Sequence, residues 1–542
     1  MKIAVAQVNP TVGNLDGNAR KILDNAEEAA SQGAELVVFP SMALTGGPLK
    51  GLGKTKAFVA DAMKHMEKLA SELPVLSLVS CVFDVASFPY NEKTGPDYSE
   101  KESETGIATG LFIVGEDEVQ LLYAPEFEVP GACPIVWVGD KRIAVLLDKH
   151  YNQIKLEGAD VMVEICADAY TQEFAAEAAM GRISRFMQLT KMCNAFLVYA
   201  NLCGAQDSTV FAGNSTVFAP NSRMAHAAEL DQEDLYVFST EDDRMGTRGE
   251  ARAVRRDDDE VIWRGIVVGT RDYVVKNGFS DVLVGLSGGL DSSVVATAAV
   301  DALGAEHVHG LLMPGPYSSE GSLTDAAELA DNLGIQTWTV PITEALDCFN
   351  AVLAEPCGGE VKGLAEENVQ ARIRAVYLLT TANAHGWLVL NTGNKSEAAM
   401  GFSTLGGDTA GVYAPVGQMY KSDLYPLAQW RMQKGLSIPQ AAIDKAPSAE
   451  LYPGAKDQDR LPPYELLDET LLNHVEGGLS AGELVEKGTS SALARNVLSG
   501  LVQTEFKRRL EPMGPKVMGL SLNDDRDWPV TNAWRDTSAD EE

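Results

Sequence analysis

The stretch VLVGLSGGLDSSVVATAA, residues 282–299, carries residue types that could hold a phosphate. Val282 to Leu286 is an apolar, β-branched run and reads as a buried strand. Ser287, Gly288 and Gly289 break it, and a helical pattern starts at Asp291. Strand, glycine turn and helix N-terminus together make an anion cradle. Glycine lets the backbone approach the anion, and the free N–H groups of the first helical turn point at it. The Gly-Lys-Ser/Thr ending of a Walker A loop is missing, and an acid, Asp291, stands in the turn instead. An acid beside a phosphate makes sense if it holds Mg²⁺ against the phosphate oxygens. The plainer reading is an ordinary glycine-rich β–α turn, which a bare Gly-Gly would favour. SGGLDS as a unit is more specific than that.

Around this turn the pattern alternates helix and strand. Strands are expected at 282–286, 308–312, 336–340 and 387–391, in a mostly parallel sheet covered on both faces. Ligands of such sheets sit beyond the strand C-termini, so Ser287 and Thr392 are expected to line one crevice. The first half reads differently. Residues 3–8 suggest a strand, 18–31 a helix and 36–39 a strand ended by Pro40. Apolar runs follow at 75–83, 109–114, 142–147, 160–165 and 196–201, with a helical stretch around 174–194. This is the pattern of a layered α/β domain over residues 1–240. Residues 241–260 are charge-dense and read as a linker. A second domain then occupies 261–535, and 536–542 form a frayed acidic tail.

With 542 residues the chain is too long for one core. Its formal net charge of −33 argues against nucleic acid, which is bound mainly through Lys and Arg. The surplus acid reads as solvated surface, and any nucleotide site must therefore be locally basic. Seven scattered cysteines without a C-x-x-C pair argue against structural zinc and suggest reduced thiols in the cytoplasm. No stretch is apolar enough to span a membrane.

SGGLDS resembles the signature of the ATP pyrophosphatases, which cleave ATP between the α and β phosphates. MPGPYSSEGSLTDAAELADNLGI, EENVQARIR, NTGNKSEAAMGFSTLGGDTAG, PSAEL and EFKRR stand in the order seen in NAD synthetases. AQVNPTVGNLDGNARKI, GAELVVFP, ALTGGP and VYANLCGAQDSTVFAGNS resemble the nitrilase-like glutaminase domain of the glutamine-dependent members. The resemblance implies an N-terminal nitrilase-like domain and a C-terminal domain of the adenine-nucleotide α-hydrolase type. It also implies ATP-dependent amidation of deamido-NAD with Mg²⁺, and a homo-oligomer. By the same resemblance Gly285, Leu286, Ser287, Gly288, Gly289, Leu290, Asp291, Ser292, Thr392, Lys421 and Ser448 would bind ATP. Asp291 and Glu397 would hold the metal and act in catalysis. Asn368, Arg372, Glu397 and Lys507 would bind deamido-NAD. Met313 and Tyr317 are assigned to packing, and Leu405 to no contact.

The glutaminase triad is the departure. Where the family has its Glu base, Lys and nucleophilic Cys, this sequence has Ser41, Leu121 and Asp148. A serine is no base at neutral pH, a leucine has no charge, and a carboxylate attacks an amide poorly. The N-terminal domain is therefore expected to be inactive, with free ammonia, from an external source, as nitrogen donor. Cys166, in VEICADAY, sits after GAD in a later strand of the pattern, not at the nucleophile turn, and reads as a buried, inert thiol. Two rival readings stay open: glutamine used by unconventional or partner chemistry, and a non-catalytic nucleotide-binding regulator.

Overall fold

A computed structural model describes residues 1–85, 106–123, 134–146, 156, 158–170, 179–242, 258–435 and 438–540. The chain divides into two compact units, Met1–Arg256 and Asp257–Glu542.

The first unit holds two six-stranded sheets. In one, the strands run in the order Asp234–Ser239, Lys2–Gln7, Leu36–Val38, Leu76–Asp84, Ile107–Gly115 and Glu118–Tyr123. In the other the order is Met224–Ala227, Thr216–Phe218, Phe196–Ala200, Val161–Ile165, Lys141–Leu146 and Ile135–Val138. The central pairs are parallel and the outer ones antiparallel. Period-two alternation explains the layering. Ile3 and Val5 of the first strand join Val163 and Val198 of the other sheet in one core. Ala4 and Ala6 face the opposite way, into a core shared with the helices Leu15–Ser31 and Lys56–Glu72. Helix Ala179–Cys193 covers the outer face of the second sheet through Ile183, Phe186 and Leu189. The unit is thus a four-layer helix–sheet–sheet–helix stack. Its short antiparallel edge strands had no counterpart among the sequence expectations.

The second unit is built on a four-stranded sheet in the order Gln336–Thr339, Val308–Leu312, Val282–Gly285, Leu388–Leu390, parallel throughout. These strands match the four expected from sequence to within a residue or two at each end. Leu283, Leu311 and Val389 pack with Ala382 of helix Leu364–His385 on one face. Helix Leu290–Leu303 packs against the sheet from its own buried apolar side. A separate apolar cluster joins helices Tyr464–Val475, Ala481–Glu486 and Ser491–Gln503.

The frayed tail is a correction for residues 536–540. Asp536 accepts a hydrogen bond from Ala481 N at 2.8 Å, Ser538 Oγ accepts one from Gly482 N at 2.7 Å, and Ala539 is buried. An acid and a serine cap a helix N-terminus here, which sets their sequence cost against two satisfied N–H groups. Most of the expected linker, 243–257, lies outside the described residues, and helix Asp258–Lys276 begins directly after it.

Candidate active site

The loops after the parallel strands enclose a cavity of about 650 Å³ at the C-terminal edge of the sheet. The SGGLDS turn forms its floor. Gly288 has φ +72°, and a Cβ there would fall 2.1 Å from the Ser322 carbonyl oxygen. No side chain fits that approach. The turn is held open by its own hydroxyls. Ser287 and Ser292 Oγ atoms lie 3.0 Å apart, Gly289 N donates to Ser287 Oγ at 3.2 Å, and Ser293 Oγ donates to Gly289 O at 2.8 Å. Gly289 N-caps helix Leu290–Leu303, so Asp291 stands in its first turn.

Asp291 meets two residues from distant parts of the chain. One of its carboxylate oxygens pairs with Lys421 Nζ, and the other accepts from Asn394 Nδ2 at 2.9 Å. Asn394 also opens the short helix Lys395–Met400 with a capping box. Its Oδ1 accepts from Glu397 N at 3.0 Å, and the Glu397 carboxylate accepts from Asn394 N at 3.3 Å. Burial, and then the charge of Asp291, push the Glu397 carboxyl well above the usual carboxylate range. Lys421 is only 3% exposed. Burial alone would lower its pKa, but the Asp291 and Glu397 carboxylates outweigh that and hold it above the ordinary lysine range. Two acids and one buried cation therefore share one wall of the cavity.

Of the residues assigned to ATP, Gly285, Leu286, Ser287, Gly289, Leu290, Asp291, Ser292, Thr392, Lys421 and Ser448 line this cavity, as does Glu397. Gly288 does not line it and instead shapes the turn. Asn368, Arg372 and Lys507 are also not lining residues. They converge instead on the loop 401–405 at its rim. Thr404 Oγ1 donates to Asn368 Oδ1 at 2.7 Å, Arg372 Nε donates to Leu405 O at 3.1 Å, and Lys507 Nζ donates to Gly401 O and Ser403 O at 2.7 Å. Met313 and Tyr317, assigned to packing, also border the cavity, and Met313 packs in two apolar clusters as well.

Sequence reasoning missed three residues. Arg374 lines the cavity and donates to Met313 O at 3.0 Å, and burial lowers its pKa. It stands two positions from Arg372 on one helix, hence on a different face, and helical spacing would have separated the pair. Asn394 was signalled by the N-K-S-E capping pattern. Glu450 also lines the cavity, and its carboxylate accepts from Ser319 N, Ser319 Oγ and Ser322 Oγ at 3.1, 2.8 and 2.8 Å. It lies in the PSAEL stretch, where only Ser448 was assigned a role.

In the first unit, Ser41 N donates to Cys166 O at 3.0 Å. Leu121 lies in an edge strand and packs on the apolar core. Asp148 lies outside the described residues. The Cys166 thiol is buried, which pushes its pKa well up, and the nearby Asp168 and Glu164 charges push it further. A thiol so placed is not a thiolate at neutral pH.

These two units match two families. The NAD synthase model covers residues 262–511, which takes in most of the residues that line the cavity, and the carbon-nitrogen hydrolase model covers residues 2–83. The likeness also extends end to end. The glutamine-dependent NAD(+) synthetases of Thermotoga maritima and Rhodobacter capsulatus are 31% and 35% identical to this chain, each over 99% of both sequences. The structure of the glutamine-dependent NAD+ synthetase of Acinetobacter baumannii in complex with ADP superposes with a TM-score of 0.71, at 27% identity and 99% coverage of both chains. The chain belongs to the family of two-domain, glutamine-dependent NAD synthetases.

Proposed function

We propose that this chain makes NAD by ATP-dependent amidation of deamido-NAD, with ammonia as the direct nitrogen donor. The observation that carries the reading is the convergence of the SGGLDS turn, Asp291, Glu397, Thr392 and Lys421 on one cavity. A carboxylate resists ammonia because it is anionic and lacks a leaving group. Attack of the nicotinate carboxylate on the α-phosphate of ATP forms an acyl-adenylate and expels pyrophosphate, and ammonia then displaces AMP. The SGGLDS backbone and the Leu290–Leu303 helix N-terminus would receive the pyrophosphate. Lys421 would exchange its pairing with Asp291 for contact with phosphate oxygens. Loop 401–405, braced by Asn368, Arg372 and Lys507, would border the deamido-NAD.

The acids fit Mg²⁺. Asp291 and Glu397 are hard oxygen donors on one wall of the cavity. No cluster of three or more candidate metal ligands occurs among the described residues, so phosphate and water oxygens would complete the shell. When bound, the ion would neutralise charge building on the departing pyrophosphate.

Ammonia is preferred as the donor because the base position holds Ser41 and the cation position holds Leu121, packed among apolar side chains. The names of the full-length relatives favour a second reading, in which glutamine supplies the nitrogen. One experiment separates the two: NAD formation from deamido-NAD and Mg-ATP, with ammonium and ammonia-free glutamine compared. Turnover with ammonium alone is expected. Glutamine-dependent turnover lost on mutating a residue in the first 240 would establish the second reading. ATP binding without pyrophosphate release would mark a regulator.

A further inference from the structure

Helix Lys421–Gln433 begins with the lysine of the cavity, yet its N-cap, Tyr420, supplies no side-chain cap. The free N–H groups of a first helical turn need acceptors. Two buried side chains provide them, and neither belongs to this helix. Lys421 N donates to Ser396 Oγ at 2.8 Å, and Ser422 N donates to Asp468 Oδ2 at 2.9 Å. Ser396 Oγ in turn donates to Asp468 Oδ1 at 2.5 Å. Asp468 lies on helix Tyr464–Val475, is 4% exposed, and does not border the cavity.

One carboxylate therefore ties together two helix starts. Ser396 is the second residue of the short helix that carries Glu397, and Ser422 follows Lys421. Lys395 N also donates to Met419 O at 2.8 Å, so the two helix starts touch directly as well. A carboxylate suits this place because the positive end of a helix dipole favours an anion. Ser396 transmits its hold to the Lys421 backbone. The ammonium of Lys421 reaches Asp291 only if that backbone is fixed, because the side chain is buried and has no room to search.

We propose that Asp468 is a positioning residue for the nucleotide site, acting through Ser396 on the placement of Lys421. The inference rests on the assignment of the cavity to ATP. Asp468 touches no substrate in this scheme. It fixes where the phosphate-binding cation stands relative to Asp291 and Glu397.

The test is a steady-state comparison in the full chain with ammonium as donor. Asp468→Asn is expected to raise the KM for ATP about tenfold while leaving the KM for deamido-NAD within about twofold. Ser396→Ala, which removes only the relay, should raise the ATP KM by a smaller factor. The Ser396→Ala/Asp468→Asn double variant should be no worse than Asp468→Asn alone, because both act along one path. Multiplying effects, equal movement of both KM values, or no change would each overturn the inference. A general loosening of the fold would move both KM values together. If Asp468→Asn is not recovered folded, Ser396→Ala carries the test by the same KM split. Calorimetric ATP binding reads the same shift without turnover. Absence of NAD formation by the unsubstituted chain would therefore overturn the amidation reading and leave the placement of Lys421 testable. Unaltered ATP affinity in an Asp468→Asn protein that binds ATP would overturn the positioning role alone.

Discussion

Both units of this chain place loops beyond the C-terminal ends of buried parallel strands, and the two sets of loops are used differently. In the first unit the loop after Leu36–Val38 is knitted to its neighbours. Ser41 N bonds to Cys166 O, and Met42 N bonds to Ser80 Oγ at 2.6 Å. In the second unit the corresponding positions carry Ser287, Thr392 and Glu397, whose side chains border a cavity. Strand interiors such as Val37 and Val284 are equally buried in both. The fold is kept by these interiors, whereas chemistry depends on a few side chains just past them.

The contrast can be broken most decisively at paired positions. Asp291→Asn is expected to cut pyrophosphate release by about 10²- to 10³-fold, since it removes preorganised charge at the reacting phosphates. Ser41→Ala in the first unit should leave ammonium-driven turnover unchanged within about twofold. Near-normal turnover by a folded Asp291→Asn protein, or a large loss in Ser41→Ala, would erase the difference between the units. A smaller effect sharpens the same comparison within the second unit. Gly288→Ala must place a Cβ against the Ser322 carbonyl at positive φ, and should weaken ATP binding and cost about 2–3 kcal/mol of stability. Gly278→Ala has positive φ but open space around it, and should cost only about 1 kcal/mol with ATP binding intact. Denaturant unfolding and calorimetry of both variants check this.

A last comparison sets two acids of the second unit side by side. Asp468 is fully hydrogen-bonded, whereas Asp423 Oδ2 has no partner among the described residues. Burial, with the charge of Asp468 adding, pushes the Asp423 carboxyl up to about 6. The sign follows from linkage. Between its ordinary carboxylate value and about 6, the unfolded chain has released this proton and the folded chain keeps it. Stability therefore falls as pH rises through that window. Asp423→Asn should add on the order of 1–3 kcal/mol at pH 8 and almost nothing at pH 4. Equal gains in denaturant unfolding at both pH values would refute the assignment.

The phosphate strand and its turn were legible in the sequence because the continuous apolar run Val282–Leu286, broken by Ser287, Gly288 and Gly289, leaves few alternatives. Short antiparallel strands of the first unit, such as Thr216–Phe218 and Met224–Ala227, were not, because three or four residues give too short a pattern to read. Lys421 and Glu397 were found by family resemblance rather than by pattern. Arg374 was missed although helical geometry separates it from Arg372. Glu450 and Asp468 were missed because their partners lie far away in sequence, and only folding brings Ser319 and Ser396 to them.

The burial of Lys421 against Asp291 has a thermodynamic consequence for ligand entry. An exposed lysine must shed its hydration shell when a phosphate arrives, and that loss is subtracted from the affinity. Here the ammonium is already buried in its pairing with Asp291, so the dehydration cost falls on folding. On the proposed role of Lys421, an arriving phosphate would have only to displace a carboxylate from a cation that water has already left, and the ion-exchange character of that step would make affinity depend on which anion holds the lysine more tightly.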